Sequence, residues 1–335
     1  AASDVYKRQV ISIVTERRYL KVLVIHNLGS GYGEGAIYDF IRTYSVDGDS
    51  VTMRFFNGIT PFSELLKDAK DFDFVVACGG DGTIATISYE LRNTNIPILP
   101  FPAGTANLLA MNLLSPSEPH ALTKLADQAN TMLFDLGEIE CKDTKVGFTM
   151  MAGCGYDQLI MSNARSKKRL LGPIAYFEAA LTNPAPQVSE FAITIDGETI
   201  QSSGIGVVLT NFSKIQFDLM VSDKNLPRDG MLDLVVLKTK NAVELLPTVF
   251  AKAVDHSGDL AKKIGAVEVY RGREITIDAE PAMLLEYDGE ATQLSTPFTA
   301  RCLPGAVRYI VSEECIKMFA SKEKVKIRNS VLYIQ

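Results

Sequence analysis

Residues 78–86 read Cys78-Gly79-Gly80-Asp81-Gly82-Thr83-Ile84-Ala85-Thr86, directly after the apolar run Phe74-Val75-Val76-Ala77 and before a stretch of helical character. A glycine loop between a strand and a helix predicts a phosphate site. Glycine lets the backbone come close, and the amides and dipole at the helix start attract anions. Asp81 at the loop's centre repels phosphate unless a divalent cation stands between them, and Mg²⁺ favours carboxylate, water and phosphate oxygens. The chain contains no Gly-Lys pair, which excludes a Walker A loop and its phosphate-binding lysine. The stretch therefore predicts a Mg-ATP site.

Working outward, apolar strand patterns at Lys21 to His26, Val51 to Phe56, Asp73 to Ala77 and Pro97 to Pro100 alternate with helical stretches. That alternation predicts a parallel sheet covered on both faces, with ligands at the loops leaving the carboxyl ends of its strands. Three such loops carry glycine: Asn27-Leu28-Gly29-Ser30-Gly31, Gly79 to Thr83, and Pro102-Ala103-Gly104-Thr105-Ala106-Asn107. After about Phe134 the texture turns β-rich, with runs at Glu190 to Ile195, Gly206 to Thr210, Leu232 to Leu237 and Glu274 to Ile277, which predicts a β-sandwich. Helical interruptions are expected at about 174–182 and 242–254, and the tail after Ser312 reads as basic and helix-like.

The expected organisation is an α/β nucleotide-binding domain at 10–134, a β-rich substrate domain at 135–311, and a tail at 312–335 that packs back on the first. The opening Ala1 to Gln9 resembles translated sequencing-adapter read-through and is set aside. At 335 residues and 47% hydrophobic content, two domains with cores are affordable in size. A net charge of -6 argues against a nucleic-acid binder held by a global positive field. Five cysteines without a CxxC pair suit a reducing compartment, and three scattered histidines, His26, His120 and His256, make a His/Cys metal site unsupported. No apolar run reaches the ~20 residues of a spanning helix, so the expectation is a cytoplasmic protein.

Taken in order, "GGDGT" and "PAGTAN" resemble the diacylglycerol kinase catalytic domain of bacterial lipid kinases and sphingosine kinases. Three further segments, Lys168 to Tyr176, "LPRDGMLD" at 226–233 and "EYDGE" at 286–290, resemble later motifs of that family. The likeness runs from about Lys21 to Val311. It departs from the family's usual pattern at Leu28, where a proline is usual, and at Leu108, where an acid is usual. The resemblance implies an NAD kinase/phosphofructokinase-like sheet domain joined to a β-sandwich, and an ATP- and Mg²⁺-dependent kinase acting on a lipid hydroxyl.

Under that reading Asn27, Gly79, Gly80, Asp81, Gly82, Thr83, Gly104, Thr105 and Asn107 hold nucleotide, with Asp81 linked to its Mg²⁺. Phosphoryl transfer also needs something to accept the attacking hydroxyl's proton, for which Asp288 is the candidate with Glu290 beside it. Asp-Gly is equally a hairpin signal, and Asp-Gly-Glu recurs at Asp196-Gly197-Glu198, inside a clean alternating pattern. The resemblance further implies a structural Mg²⁺ on Asp229 and on the main-chain carbonyls of Leu226 and Met231, where the bland alternative is an ordinary turn. Arg165, Lys167, Lys168 and Arg169 beside Leu170-Leu171 suggest peripheral membrane contact, against the plainer reading of a solvated face. A homodimer is compatible with the family.

Other readings stay open. NAD kinases share the GGDGT loop, but the Asn-Glu or Asn-Asp pair expected of them is absent. Gly31-Tyr32-Gly33-Glu34-Gly35-Ala36 fits the dinucleotide-binding turn of an oxidoreductase. A non-catalytic nucleotide- or lipid-binding module is the remaining alternative.

Overall fold

The computed structural model describes residues 19–30, 34–46, 49–155, 186–212, 227–240 and 267–320, with the backbone of two short strands near the end. Strands β1 (Lys21–Asn27), β2 (Ser50–Phe56), β3 (Phe74–Gly79) and β4 (Pro97–Pro102) pair in parallel in the order β2-β1-β3-β4. β3 is buried at every residue, the pattern of a strand covered on both faces.

Successive side chains go to opposite layers. Val22, Val24, Val76, Leu99 and Phe101 pack with Ile37, Phe40 and Tyr44 of α1 (Glu34–Val46) and with the far helix that follows β4. The helices between are the single turn α2 (Phe62–Leu65), α3 (Asp81–Glu90) and α4 (Leu108–Asn112); that far helix is α5 (Pro119–Gln128), which contributes Leu122 and Leu125. Leu23, Ile25, Val75, Ala77 and Ile98 pack instead with Ile84 and Ile87 of α3, Leu109 of α4, and Ile316 and Phe319 of α6 (Glu313–Phe319). Burying each such aliphatic side chain is worth about 1.5–3 kcal/mol, so the two-sided layer dominates this half.

The second half is antiparallel. One sheet runs in the order β12-β11-β10-β7-β14-β15, built from β7 (Met151–Gly155), β10 (Gly206–Thr210), β11 (Leu232–Leu237), β12 (Val267–Gly272), β14 (Leu284–Tyr287) and β15 (Glu290–Ser295). Facing it are β5 (Thr131–Cys141), β6 (Thr144–Phe148), β8 (Ser189–Ile195), β9 (Glu198–Gly204), β13 (Glu274–Glu280) and β16 (Phe298–Ile310). Phe148, Phe191, Val207, Leu234, Ile275 and Leu285 fill the space between them. The expected α/β domain with a β-sandwich is therefore present.

What composition did not show is that the two halves share a sheet. At one end β16 pairs with β13, antiparallel, from Phe298 to Arg301; at the other, Arg308 and Tyr309 pair in parallel with Pro97 and Ile98 of β4. β5 follows the strand along its length, with a register shift between Leu303 and Val307. A bulge of this kind bends a strand and re-aims it. The boundary expected at 134/135 falls inside β5, because a strand shared by two halves has no compositional edge.

In the tail, Ser312 caps α6 by accepting the Cys315 amide at 3.1 Å, and Phe319 packs edge-on to the rings of Phe134 and Phe212. Helix ends there; β17 (Lys326–Arg328) and β18 (Val331–Tyr333) then pair, where the sequence reads as helix-like throughout. The helical stretches expected at 174–182 and 242–254, the segment Lys168 to Tyr176, the basic residues Arg165 and Lys167 before it, and His256 lie outside the described residues. All five cysteines are buried free thiols.

Candidate active site

The sheet order reverses between β1 and β3: β1 leads outward to β2, whereas β3 leads to β4 on the other side. A crevice opens at such a switch point, outside the carboxyl ends of the strands. All three glycine loops leave those ends. Asn27 ends β1, and its Oδ1 accepts the Gly29 amide at 2.9 Å while its Nδ2 donates to Thr83 Oγ1 at 2.7 Å. The turn that a proline at position 28 would stiffen is thus made by the Asn27 side chain, which also ties the first loop to the second.

The third loop joins them through the backbone. Ala103 donates its amide to Gly79 O at 3.2 Å. Asn107 sits at φ +51° and folds back on Gly104, accepting its amide at 2.8 Å and donating to its carbonyl at 2.9 Å. A Cβ placed on Gly104 would stand 2.5 Å from Gly80 Cα, closer than any real contact. Gly104→Ala is therefore expected to part the loops and weaken nucleotide binding at least about tenfold, roughly 1.4 kcal/mol; calorimetric titration with an unchanged affinity would refute this. Thr105 lies exposed beside these contacts.

α3 begins at Gly80 without a side-chain cap, so its first-turn amides and dipole face the crevice. Asp81, the first residue of that helix, does not simply point outward. Its Oδ1 accepts the Leu109 amide at 2.9 Å, which fastens the start of α4 to the GGDGT loop. Burial raises its pKa, and the neighbouring amides of Leu109, Leu108, Asp81 itself and Asn107 pull the other way. Among the described residues no group of three His, Cys, Asp or Glu side chains could hold a metal by itself. One carboxylate together with phosphate oxygens is nevertheless an ordinary Mg²⁺ environment, so Asp81 fits a cation that arrives with its nucleotide.

The sandwich brings the second acidic motif to the same place. Tyr287 pairs with Glu290, leaving Asp288 (φ +45°) and Gly289 (φ +79°) as a two-residue hairpin turn with both residues left-handed. Asp196 (φ +47°) and Gly197 (φ +95°) make the same turn between β8 and β9. Both copies of Asp-Gly-Glu are thus hairpin turns, and burial separates them. The Asp196 turn is exposed and its carboxylate takes the amides of Arg273 and Glu274.

Asp288 is buried. Its Oδ2 accepts from Thr149 N (2.6 Å) and Thr149 Oγ1 (2.9 Å), and its Oδ1 from Met150 N (2.8 Å) and Met151 N (3.0 Å). Four donors occupy the roughly four lone-pair positions a carboxylate has. Burial nonetheless pushes the carboxyl up to about 6, against the pull of those donors. Glu290, two residues on, is exposed and reaches the GGDGT loop: a Cβ on Gly82 would stand 3.2 Å from its Cγ.

Two residues that sequence reading missed hold this arrangement. Asn211 is buried, and its Nδ2 donates at 2.9 Å both to Asp135 O and to Thr149 O, bracing the segment that grips Asp288. Asp135 is buried at the bulge of β16, accepting Gly305 N and Gly230 N at 2.7 Å each. Each partner is 62 to 170 positions away in sequence, so no local signal marks either residue.

The turn at Asp229 lies at this second junction, away from the glycine loops. Asp229 Oδ1 accepts the Met231 amide at 3.1 Å and Oδ2 meets Arg271 Nη2 at 2.5 Å. That carboxylate is already matched to a cation, a guanidinium, so the residues present do not fit the structural Mg²⁺ expected on Asp229 and Met231. Leu226, the other expected ligand, lies outside the described residues. His26 is buried beside the Phe55 ring, and Phe191 and Phe212 are core residues.

The description "Diacylglycerol kinase catalytic domain" matches residues 21–139, and "YegS C-terminal NAD kinase beta sandwich-like domain" matches residues 150–311. The chain is 28% identical over 230 residues to the diacylglycerol kinase of Bacillus subtilis, covering 66% of this chain and 72% of that one. It is 26% identical over 254 residues to an uncharacterized Synechocystis protein, covering 74% of this chain and 57% of that longer one. Among solved structures, a diacylglycerol kinase from Bacillus anthracis superposes with a TM-score of 0.70 at 19% identity, over 89% of this chain and 99% of that one, a likeness of fold. With both halves matched in order around the crevice just described, the chain belongs to the diacylglycerol kinase catalytic-domain family.

Proposed function

We propose that the protein is a lipid kinase that transfers the γ-phosphate of ATP, with Mg²⁺, to the hydroxyl of a diacylglycerol-like or sphingoid-like acceptor. The observation that carries this reading is the meeting of two motifs from separate halves: the glycine loops at the sheet's carboxyl edge, and the acidic hairpin whose Glu290 lies on Gly82. Bound nucleotide with its cation supplies the phosphoryl group and the charge neutralisation that such a transfer needs.

The chain's own residues then divide the work. Asn27, Gly79 to Thr83, Gly104 and Asn107 form the cradle, in which the α3 amides receive phosphate oxygens and the Gly80–Gly104 contact lets the backbone come close. Asp81 holds α4 to the cradle and offers its carboxylate to the nucleotide's cation. Asp288, with both oxygens engaged, sets the hairpin, and Glu290 takes the hydroxyl proton on its carboxylate. A lipid acceptor of this kind resides in a bilayer, so the proposed transfer takes place at a membrane face; no helix among the described residues is long and apolar enough to cross a membrane.

Incubation with Mg-ATP and a total lipid extract, followed by mass analysis, tests this directly. A phosphorylated lipid is the expected product. No lipid product, with NAD⁺ phosphorylated in a parallel reaction, would replace the reading with an NAD kinase.

A further inference from the structure

The family likeness places a divalent cation at the Asp229 turn, and the side chains there point elsewhere. Asp233 and Arg271 are directly opposed on β11 and β12. Arg271 Nε lies 2.9 Å from Asp233 Oδ1 and its Nη2 lies 2.5 Å from Asp229 Oδ2, so one planar guanidinium spans two carboxylates. The third acid, Asp135, spends one oxygen on Gly230 N and the other on Gly305 N. Arg228, next to Asp229, donates to Leu133 O at 2.8 Å and to Phe319 O at 3.1 Å, carrying the turn into β5 and the end of α6.

We infer that in this chain the guanidinium of Arg271 does the work of the structural cation, clamping the Pro227–Asp233 turn to β12 and making the junction of the two halves independent of divalent metal. A divalent ion on Asp229 would face the fixed charge of Arg271 a few ångströms away, in a site only partly open to solvent, where like charges repel strongly. Arginine suits the task because its fork reaches two acids at once and cannot be deprotonated. The inference does not depend on the proposed activity, since its readout is unfolding.

Unfolding midpoints of the full chain, without nucleotide, test it. The wild-type midpoint is expected to be the same in EDTA and in millimolar Mg²⁺ or Ca²⁺. Arg271→Met is expected to lower it by roughly 5–10 °C, because two acids lose their partner. Divalent cation should restore much of that loss where Na⁺ at equal ionic strength does not. Arg271→Lys keeps the charge without the fork and should fall between, which provides a readout if the Met variant does not fold. A wild-type midpoint that rises saturably with Mg²⁺ and falls back in EDTA would overturn the inference, as would a midpoint unmoved in both variants. Loss in Arg271→Met that no divalent cation relieves would overturn the equivalence of guanidinium and metal.

Discussion

Glu290→Gln is expected to lower kcat by about a hundredfold to ten-thousandfold, the usual worth of a positioned proton acceptor, while KM for Mg-ATP and the unfolding midpoint stay where they were. The side chain is exposed and lies along Gly82, so the amide can occupy the same space without disturbing the core. What the amide lacks is the negative charge and, with it, the capacity to take a proton. Glu290→Asp keeps that capacity on a shorter stem and should recover part of the rate. A Gln variant retaining more than about a tenth of wild-type kcat would remove Glu290 from the chemistry.

For Asp288→Asn the expected result is a loss in both parameters, about a hundredfold in kcat with a raised KM, because the hairpin that presents Glu290 shifts against the cradle. Two effects on stability oppose each other. Burial raises the carboxyl to about 6 even against the pull of its donors, so a neutral side chain avoids the cost of holding a charge there. Against that, the amide must face Thr149 N–H, or the N–H groups of Met150 and Met151, and leaves donors unpaired. The two effects oppose each other, so the variant is expected to stay folded, which an unfolding midpoint near that of the wild type would show.

The pH dependence follows from the same group. A folded-state pKa raised above the unfolded one gives a contribution to stability that is full below about 3.8 and lost as pH rises through about 6. Acidification from pH 7 to 5 is therefore expected to reduce turnover, since a protonated carboxyl cannot accept from four donors, without this group lowering the unfolding midpoint. The inflection near 6 should vanish in Asp288→Asn. If that variant instead loses kcat alone while Glu290→Gln stays active, the proton acceptor is Asp288.

The cradle was legible in the sequence because its signals are local: glycines, a strand before and a helix after, each within ten residues. The Asp-Gly-Glu copies show where local signals end. Asp196 and Asp288 make the same left-handed turn and both carboxylates bind amides, so nothing in the tripeptide separates them; only the depth at which each hairpin packs does. Asp135, Asn211 and Arg271 act across the fold, and an arginine in an alternating strand such as Val267 to Gly272 reads as an ordinary exposed residue. The resemblance put a metal on the Asp229 turn, where the inference drawn above puts the guanidinium of Arg271, which meets the Asp229 carboxylate across the fold.

A strand that belongs to both halves also limits how the protein can be divided. Expressing the first 134 residues alone would cut β5 and strip β16 from β4, leaving a row of unpaired amides and carbonyls where the shared sheet used to continue. Such a fragment should aggregate or pair with itself, and the halves should melt together in one transition. In the whole chain the same strand is hydrogen-bonded into both halves, so swinging one half away from the other would first have to break main-chain pairing in the shared sheet.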